Sequence, residues 1–149
     1  MRSSTFSIRR LSWEEGRKAL STVRRAVFIE EQGVPEELEW DEEDATAVHL
    51  LATDANGAPI GTARLLPIGQ IGRMAVLREW RRRGVGRVLL DELVHIAGQS
   101  DYPPLFLNAQ THVIDFYRRA GFEPEGGIFL DAGIPHRRMR RITTGENSL

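Results

Sequence analysis

Arg81-Arg82-Arg83-Gly84-Val85-Gly86-Arg87 joins an alternating apolar run to an amphipathic one, and these residue types at this spacing can hold an anion. Two glycines one residue apart let the backbone turn tightly with no Cβ in the way. Several N–H groups can then converge on one oxyanion, and the positive end of a following helix adds to the attraction. The arginines supply charge from the rim. The pattern reads as a pyrophosphate cradle; the alternative reading is an arginine-rich surface turn. The three-glycine fingerprint of dinucleotide folds is absent, as is the Gly-Lys-Ser/Thr ending of an NTPase loop.

The flanking elements must position this turn. Ile71 to Leu77 is strand-like, and Val85, Leu89, Leu93 and Ile96 recur at helical spacing, so the order is strand, glycine turn, helix. Upstream, Thr5 to Arg10 alternates as a strand. Ser12 caps a helix from Trp13, with Glu15 at the capping-box position, and Leu20, Val23, Val27 and Phe28 form its apolar face up to Gly33 and Pro35. Ala47 to Asp54 and Pro59 to Pro67 are strands around the hairpin signal Asn56-Gly57. Downstream come a strand Leu105 to Asn108, a helix Thr111 to Ala120, and strands near Phe122 and from Ile128 to Arg140. Thr143 to Leu149 reads as a frayed tail. The class is α/β, a mixed sheet flanked by helices.

Arg81, Gly84 and Gly86 in the pattern Arg-x-x-Gly-x-Gly, preceded by Arg73-Met74-Ala75-Val76, resemble the acetyl-coenzyme A motif of the GNAT N-acetyltransferases. Leu105 to Gln110 followed by Phe116-Tyr117-Arg118-Arg119-Ala120-Gly121-Phe122 resembles the fifth strand, fourth helix and Phe-Tyr-x-x-x-Gly-Phe signature of that family. Val27 to Gln32, His49-Leu50 and Gly133 to His136 resemble a subgroup of small bacterial members. The resemblance covers residues 5 to 141 and implies a single domain over 1–149 with a GNAT fold, its fourth and fifth strands splayed. By that resemblance, Met74, Ala75 and Val76 hold the pantetheine arm of acetyl-CoA through backbone groups, and one of their amides polarises the thioester carbonyl. Arg81, Arg82, Arg83, Gly84, Val85, Gly86 and Arg87 cradle the pyrophosphate, largely through N–H groups.

Transfer of an acetyl group to an amine needs a neutral nucleophile, a polarised carbonyl and a proton for the departing thiolate. Tyr117 is the expected general acid from its family setting; the alternative is a core aromatic with its hydroxyl tied off. Asn108 either hydrogen-bonds the cofactor or closes its strand. Glu31 and His112 are the candidate bases, each with a structural alternative as a solvated carboxylate or a helix-start hydrogen-bonder. His49 and His136 read as structural hydrogen-bonders and His95 as helix surface. No metal-ligand spacing links the histidines, and no metal is expected. The chain has no cysteine, so transfer is expected to be direct rather than through a thiol-bound acetyl group.

At 149 residues, 41% of them hydrophobic and 28% charged, the chain suits one globular domain. Its net charge of -1 hides an uneven distribution: nine carboxylates and no Lys or Arg lie between Glu30 and Asp44, and six arginines against one Glu between Arg73 and Arg87. This pair of patches suits an anionic cofactor and a small cationic amine acceptor, with a protein amine as runner-up. Glu31, Glu39, Asp41 and Asp44 are then acceptor-binding candidates; the alternative is an acidic loop neutralised by Arg64. Nucleic acid is disfavoured by the short basic stretch. No apolar run approaches membrane-spanning length and Met1 to Phe6 has no signal core, so the expectation is a cytoplasmic protein, with a homodimer left open. Phe28, Glu39-x-Asp41-x-x-Asp44 and Arg64 to Pro67 also resemble the acyl-homoserine-lactone synthases, although the Arg-x-x-Gly-x-Gly pattern departs from them. A module that binds acetyl-CoA without turnover is the non-enzymatic alternative.

Overall fold

The computed structural model describes residues 5–142; the tail 143–149 lies outside them. Its first helix, α1 (Trp13–Arg24), starts where the capping box places it. Ser12 Oγ accepts from the Glu15 N–H at 3.1 Å, and Glu15 returns a carboxylate oxygen to the Ser12 N–H at 2.9 Å, answering two of the orphan donors of a helix start. The sequence pattern reads on as one helix through Phe28. The chain instead widens into a π-helical stretch, Arg25–Glu31, which ends just before Gly33 at φ +73°. Such widening is rare and concentrates at functional sites; here it ends at Glu31 and Gln32, both of which bond to elements across the sheet.

Strands β1 (Phe6–Leu11), β2 (Val48–Asp54), β3 (Pro59–Leu65) and β4 (Gln70–Val76) form an antiparallel series. Asp54 secures the β2–β3 turn by accepting from the N–H groups of Asn56 and Ala58, each at 2.9 Å. A helical crossover, α3 (Val85–Gly98), carries β4 to the parallel strand β5 (Phe106–Gln110). The complete sheet has the order β1-β2-β3-β4-β5-β7-β6, with β6 (Phe122–Asp131) and β7 (Ile134–Arg141) as an antiparallel hairpin. This hairpin resolves the expected single run from Ile128 to Arg140 into two strands. Ala132 and Gly133 both have positive φ, 52° and 76°, the geometry of a two-residue hairpin turn, and Ala-Gly signals such a turn more weakly than Asn-Gly.

Val85, Leu89, Leu90, Leu93 and Ile96 of α3 are buried against Leu50, Ile60, Ala63, Leu65 and Ile71 of the sheet. On the other face α1 packs over β2, β3 and β4, where Val23 and Val27 close on Ala75. The segment after the π-helical stretch forms two short helical turns, α2 (Glu36–Glu39) and a 3-10 turn, Glu42–Ala45, before rejoining the sheet. The expected helix from Thr111 to Ala120 begins as a 3-10 turn, Thr111–Val113, and becomes α4 (Ile114–Arg119), which seats Tyr117 in the core. Among the described residues, no helix is long and apolar enough to cross a membrane.

Candidate active site

β4 and β5 pair only at Gln70 with Phe106 and Ile71 with Leu107, and beyond those two rungs they separate. β4 helps to cause this. Between the rungs Thr62–Ala75 and Arg64–Gly72, β3 holds one residue and β4 holds two, Arg73 and Met74, so β4 is bulged there. A bulge bends its strand and increases the local twist. Arg73 takes φ +47°, a conformation costly for a residue with a Cβ, and is held there from both ends. Its carbonyl accepts from Thr62 Oγ1 at 2.9 Å. Its guanidinium reaches the Glu39 carbonyl at 3.0 Å, the Glu39 carboxylate at 3.1 Å and Asp41 at 3.2 Å. Met74 to Val76 therefore have β3 on one edge and, among the described residues, no strand on the other.

The glycine turn opens beside this seam. Gly84, the N-cap of α3, has φ +86°, and Arg82 before it has φ +65°. No side chain among the described residues caps the helix. Its hydrogen-bond ladder begins with the Val88 N–H on the Gly84 carbonyl at 3.1 Å. The N–H groups of Val85, Gly86 and Arg87 thus lack intrahelical acceptors and point out of the helix start, where the dipole favours an anion. A pyrophosphate fits this donor set.

The arginines of the turn are less free than their sequence suggests. Arg81 donates from Nε to the Val76 carbonyl at 2.9 Å and grips Glu31 with both Nη atoms at 2.7 and 2.6 Å. Its side chain is a strut tying the end of the π-helical stretch to the end of β4, rather than a phosphate ligand. Arg83 lies over the Trp80 ring at 4.9 Å, and Arg87 pairs with Asp91 at 3.0 Å. Arg82 is exposed, with no side-chain partner among the described residues. Glu31 also meets Arg78 at 3.4 Å. The hydrogen bonds from Arg81, outweighing partial burial, hold its carboxyl below the ordinary value. A carboxylate so engaged is a poor general base, which corrects the expectation for Glu31.

The acidic segment is corrected as well. Glu39 and Asp44 are buried, at 3% and 2% exposure, and both close on Arg24, itself buried, at 2.8 and 2.9 Å. Arg64 binds Asp41 at 2.8 Å and Asp44 at 3.0 Å. Burial pushes the Asp44 carboxyl up, but the bonds and charges of Arg24 and Arg64 outweigh it and hold Asp44 below its ordinary value. Burial dominates at Glu39 and raises its carboxyl. These residues form an internal ion-pair network that anchors the β4 bulge through Arg73, and they do not present charge to an acceptor. Neutralisation by Arg64 was the alternative reading of this segment; Arg64 pairs with Asp41 and Asp44, while Arg24 and Arg73 hold Glu39. His49 belongs to the same network, its Nε2 2.9 Å from the Asp44 carbonyl. His136 bonds the Ile134 carbonyl through Nδ1 at 2.7 Å. Both are structural, as expected.

Across the seam, Tyr117 is 8% exposed, its ring edge-on to Phe116 at 5.0 Å and Phe122 at 6.3 Å. Burial raises its phenol well above the ordinary value. The hydroxyl has no hydrogen-bond partner among the described residues. Asn108 is half-buried on β5, opposite Arg138 of β7. His112 is exposed in the 3-10 turn before α4. The structure adds contacts that the sequence did not suggest. Gln110 donates from Nε2 to Gln32 Oε1 at 2.9 Å, joining the end of β5 to the π-helical stretch. Arg138 stacks over Phe106 with its Cζ 4.0 Å from the ring centre.

A splayed parallel pair beside an uncapped helix start defines a class of acyl-carrier site, and comparison with known proteins gives the family. The model of the acetyltransferase (GNAT) domain matches residues 14–143, and the chain belongs to the GNAT acetyltransferase family. YjcF of Bacillus subtilis, an uncharacterized N-acetyltransferase, is 36% identical over 135 residues, spanning 86% of this chain and 94% of that one. An acyl-CoA N-acyltransferase from Pseudomonas aeruginosa superposes with a TM-score of 0.82 at 29% identity, covering 93% of this chain and 100% of that one. Escherichia coli ElaA gives a TM-score of 0.81 at 28% identity, with coverages of 93% and 100%. The chain is thus an acyltransferase, of a family that transfers acyl groups from acyl-coenzyme A to amines.

Proposed function

We propose that this protein transfers an acetyl group from acetyl-CoA directly to a primary amine. The observation that carries the reading is the loss of β4–β5 pairing after Ile71–Leu107 beside the uncapped start of α3. The first feature offers an unpaired backbone edge at Met74 to Val76 to an amide-rich arm. The second offers convergent N–H groups at Val85, Gly86 and Arg87 to a pyrophosphate. Acetyl-CoA supplies the activated thioester. The protein's part is to bind, orient and handle protons. An N–H of the Met74–Val76 segment polarises the carbonyl oxygen, with the bulge clamped by Thr62 and Arg73 so that this edge does not close. Asn108, on the facing strand, positions the acyl end. Tyr117 gives the proton that the departing sulfur needs and takes one back from solvent, which receives the proton of the amine.

No carboxylate among Glu31, Glu39, Asp41 and Asp44 is free to serve as base, because each is held by arginine. Solvent therefore takes the proton from the amine, with exposed His112 the remaining side-chain candidate. The acidic motif shared with the acyl-homoserine-lactone synthases is occupied within the fold, so lactone synthesis gains no support from it. The test is thiol release from acetyl-CoA across a panel of amines, alongside calorimetric binding of acetyl-CoA. Turnover on at least one amine is the expected result. Tight binding with no turnover on a broad panel would make the protein an acetyl-CoA sensor, and absence of binding would remove the reading altogether.

A further inference from the structure

We propose that the acceptor carries a carboxylate beside its amine, an amino acid being the simplest case, and that the Arg138 guanidinium receives it. The inference rests on the acetyltransferase reading above and specifies the acceptor side of the same site. Leu107 and Ala109 of β5, with Met139 of β7 opposite Leu107, enter the core shared with α3. The alternating residues Phe106, Asn108 and Gln110, with Arg140, Arg138 and His136 opposite them, therefore lie on the other face of the sheet. On that face α1 covers β2 to β4, and beyond it the seam opens onto β5 and β7. Arg138 is the cross-strand neighbour of Asn108, the first β5 residue past the last β4–β5 rung.

Arg138 is built to hold its position while leaving its fork open. The Phe106 ring supports the guanidinium face at 4.0 Å. Glu125 hydrogen-bonds Nε, at 3.1 Å. Nη1 and Nη2 have no hydrogen-bond partner among the described residues. A planar guanidinium fixed from below and behind presents two parallel donors, the geometry that pairs with a carboxylate. The side chain is half-exposed, so the pair forms at the rim of the cleft, where charge fixes orientation more than it adds affinity.

Charge on the rest of the acceptor side agrees. Glu31, Glu39, Asp41 and Asp44 are committed to arginines, and Glu125 is committed to Arg138 itself. A polyamine would meet no unengaged carboxylate among them, while a carboxylate meets an unengaged fork.

The test uses matched acceptors: several amino acids, each against its own primary amide, in thiol-release assays at saturating acetyl-CoA. The amide has the less basic and so the more available amine, and a preference for the acid cannot arise from basicity. The acid should be favoured about tenfold or more in kcat/KM, mostly through KM. Arg138→Gln should reduce that preference to about threefold or less with acetyl-CoA affinity unchanged, and Arg138→Lys, which keeps charge without the fork, should fall between. Equal or better turnover of the amides, a preference for diamines, or a preference that survives in Arg138→Gln would overturn the proposal. Should no pair turn over, binding of the same pairs to the CoA-loaded protein by NMR decides it: acid-selective binding lost in Arg138→Gln supports the assignment, and unselective binding rejects it. Failure of wild-type protein to bind acetyl-CoA would instead overturn the acetyltransferase reading and this proposal with it.

Discussion

Tyr117→Phe removes one oxygen and leaves the ring in place. The residue is 8% exposed and its ring packs edge-on against Phe116 and Phe122, contacts that phenylalanine preserves. Its hydroxyl has no hydrogen-bond partner among the described residues, so the substitution breaks no bond. The hydroxyl is not among the buried polar atoms left without a partner, so no desolvation cost is relieved and stability should change by less than about 1 kcal/mol. The melting temperature should hold within a few degrees, at roughly 2–4 °C per kcal/mol for a chain of this size. Catalysis should not hold. Loss of a positioned general acid lowers the chemical step roughly 10²- to 10⁴-fold, about 3–5 kcal/mol of barrier. Burial raises the phenol above its ordinary value of 10.0. The proton donor therefore stays protonated through any ordinary assay, and its ionisation puts no alkaline limb on the rate below pH about 10. Because the folded value lies above the unfolded one, the group's contribution to stability is complete below that pH and declines above it. The assay is single-turnover thiol release with acetyl-CoA prebound, which isolates chemistry from product release, together with thermal melts of both proteins. A near-normal single-turnover rate in the phenylalanine variant would refute the assignment. So would a lowered melting temperature with normal turnover, which marks a structural hydroxyl.

Three other outcomes follow from the same geometry. A Cβ at Gly86 would come 3.4 Å from Phe116, an ordinary contact, so Gly86→Asp should fold yet lose at least about tenfold in acetyl-CoA affinity through charge repulsion at the helix start. Calorimetry should show Arg82→Ala to be far milder. Arg24→Met leaves Glu39 and Asp44 buried without their shared partner and should cost about 3–5 kcal/mol, read by urea denaturation as a lower midpoint. In the wild type, Asp44 titrates below its ordinary value of 3.8, so its share of that stability is present above pH about 4 and is lost as pH falls further. Initial-rate lines with both substrates varied should intersect, as direct transfer in a ternary complex requires, and a parallel pattern with isolable acetyl-protein would contradict it.

Much of the fold is legible in the sequence because its signals are local. The capping box at Ser12, the Asn56-Gly57 turn and the helical spacing from Val85 each act within a few residues, and each element starts where its signal lies. The π-helical widening after Arg24 is not legible, since Val23, Val27 and Phe28 satisfy ordinary helical spacing as well. The glycine turn is legible as a tight entry into a helix because Gly84 acts through backbone geometry, at φ +86°. The acidic run misleads for the opposite reason. Nine carboxylates without a cation look like one exposed patch along the chain, whereas three of them, Glu39, Asp41 and Asp44, meet Arg24, Arg64 and Arg73, which arrive from three separate elements, as many as 34 residues away in sequence. Arg81–Glu31, Gln110–Gln32 and Phe106–Arg138 escape sequence reading likewise, since each pair joins distant segments that only the sheet order brings together.

The central claim is that acetyl-CoA lies along the open edge of β4 with its pyrophosphate on the start of α3. A crystal structure of the acetyl-CoA complex tests it most directly. The expected result is phosphate oxygens within hydrogen-bond distance of the N–H groups of Val85, Gly86 and Arg87, the pantetheine arm bonded to the backbone of Met74 to Val76, and the thioester between that edge and Asn108 of β5. Acetyl-CoA bound elsewhere on the sheet, or a β4 edge closed by pairing with β5 while the helix start stays in solvent, would contradict it.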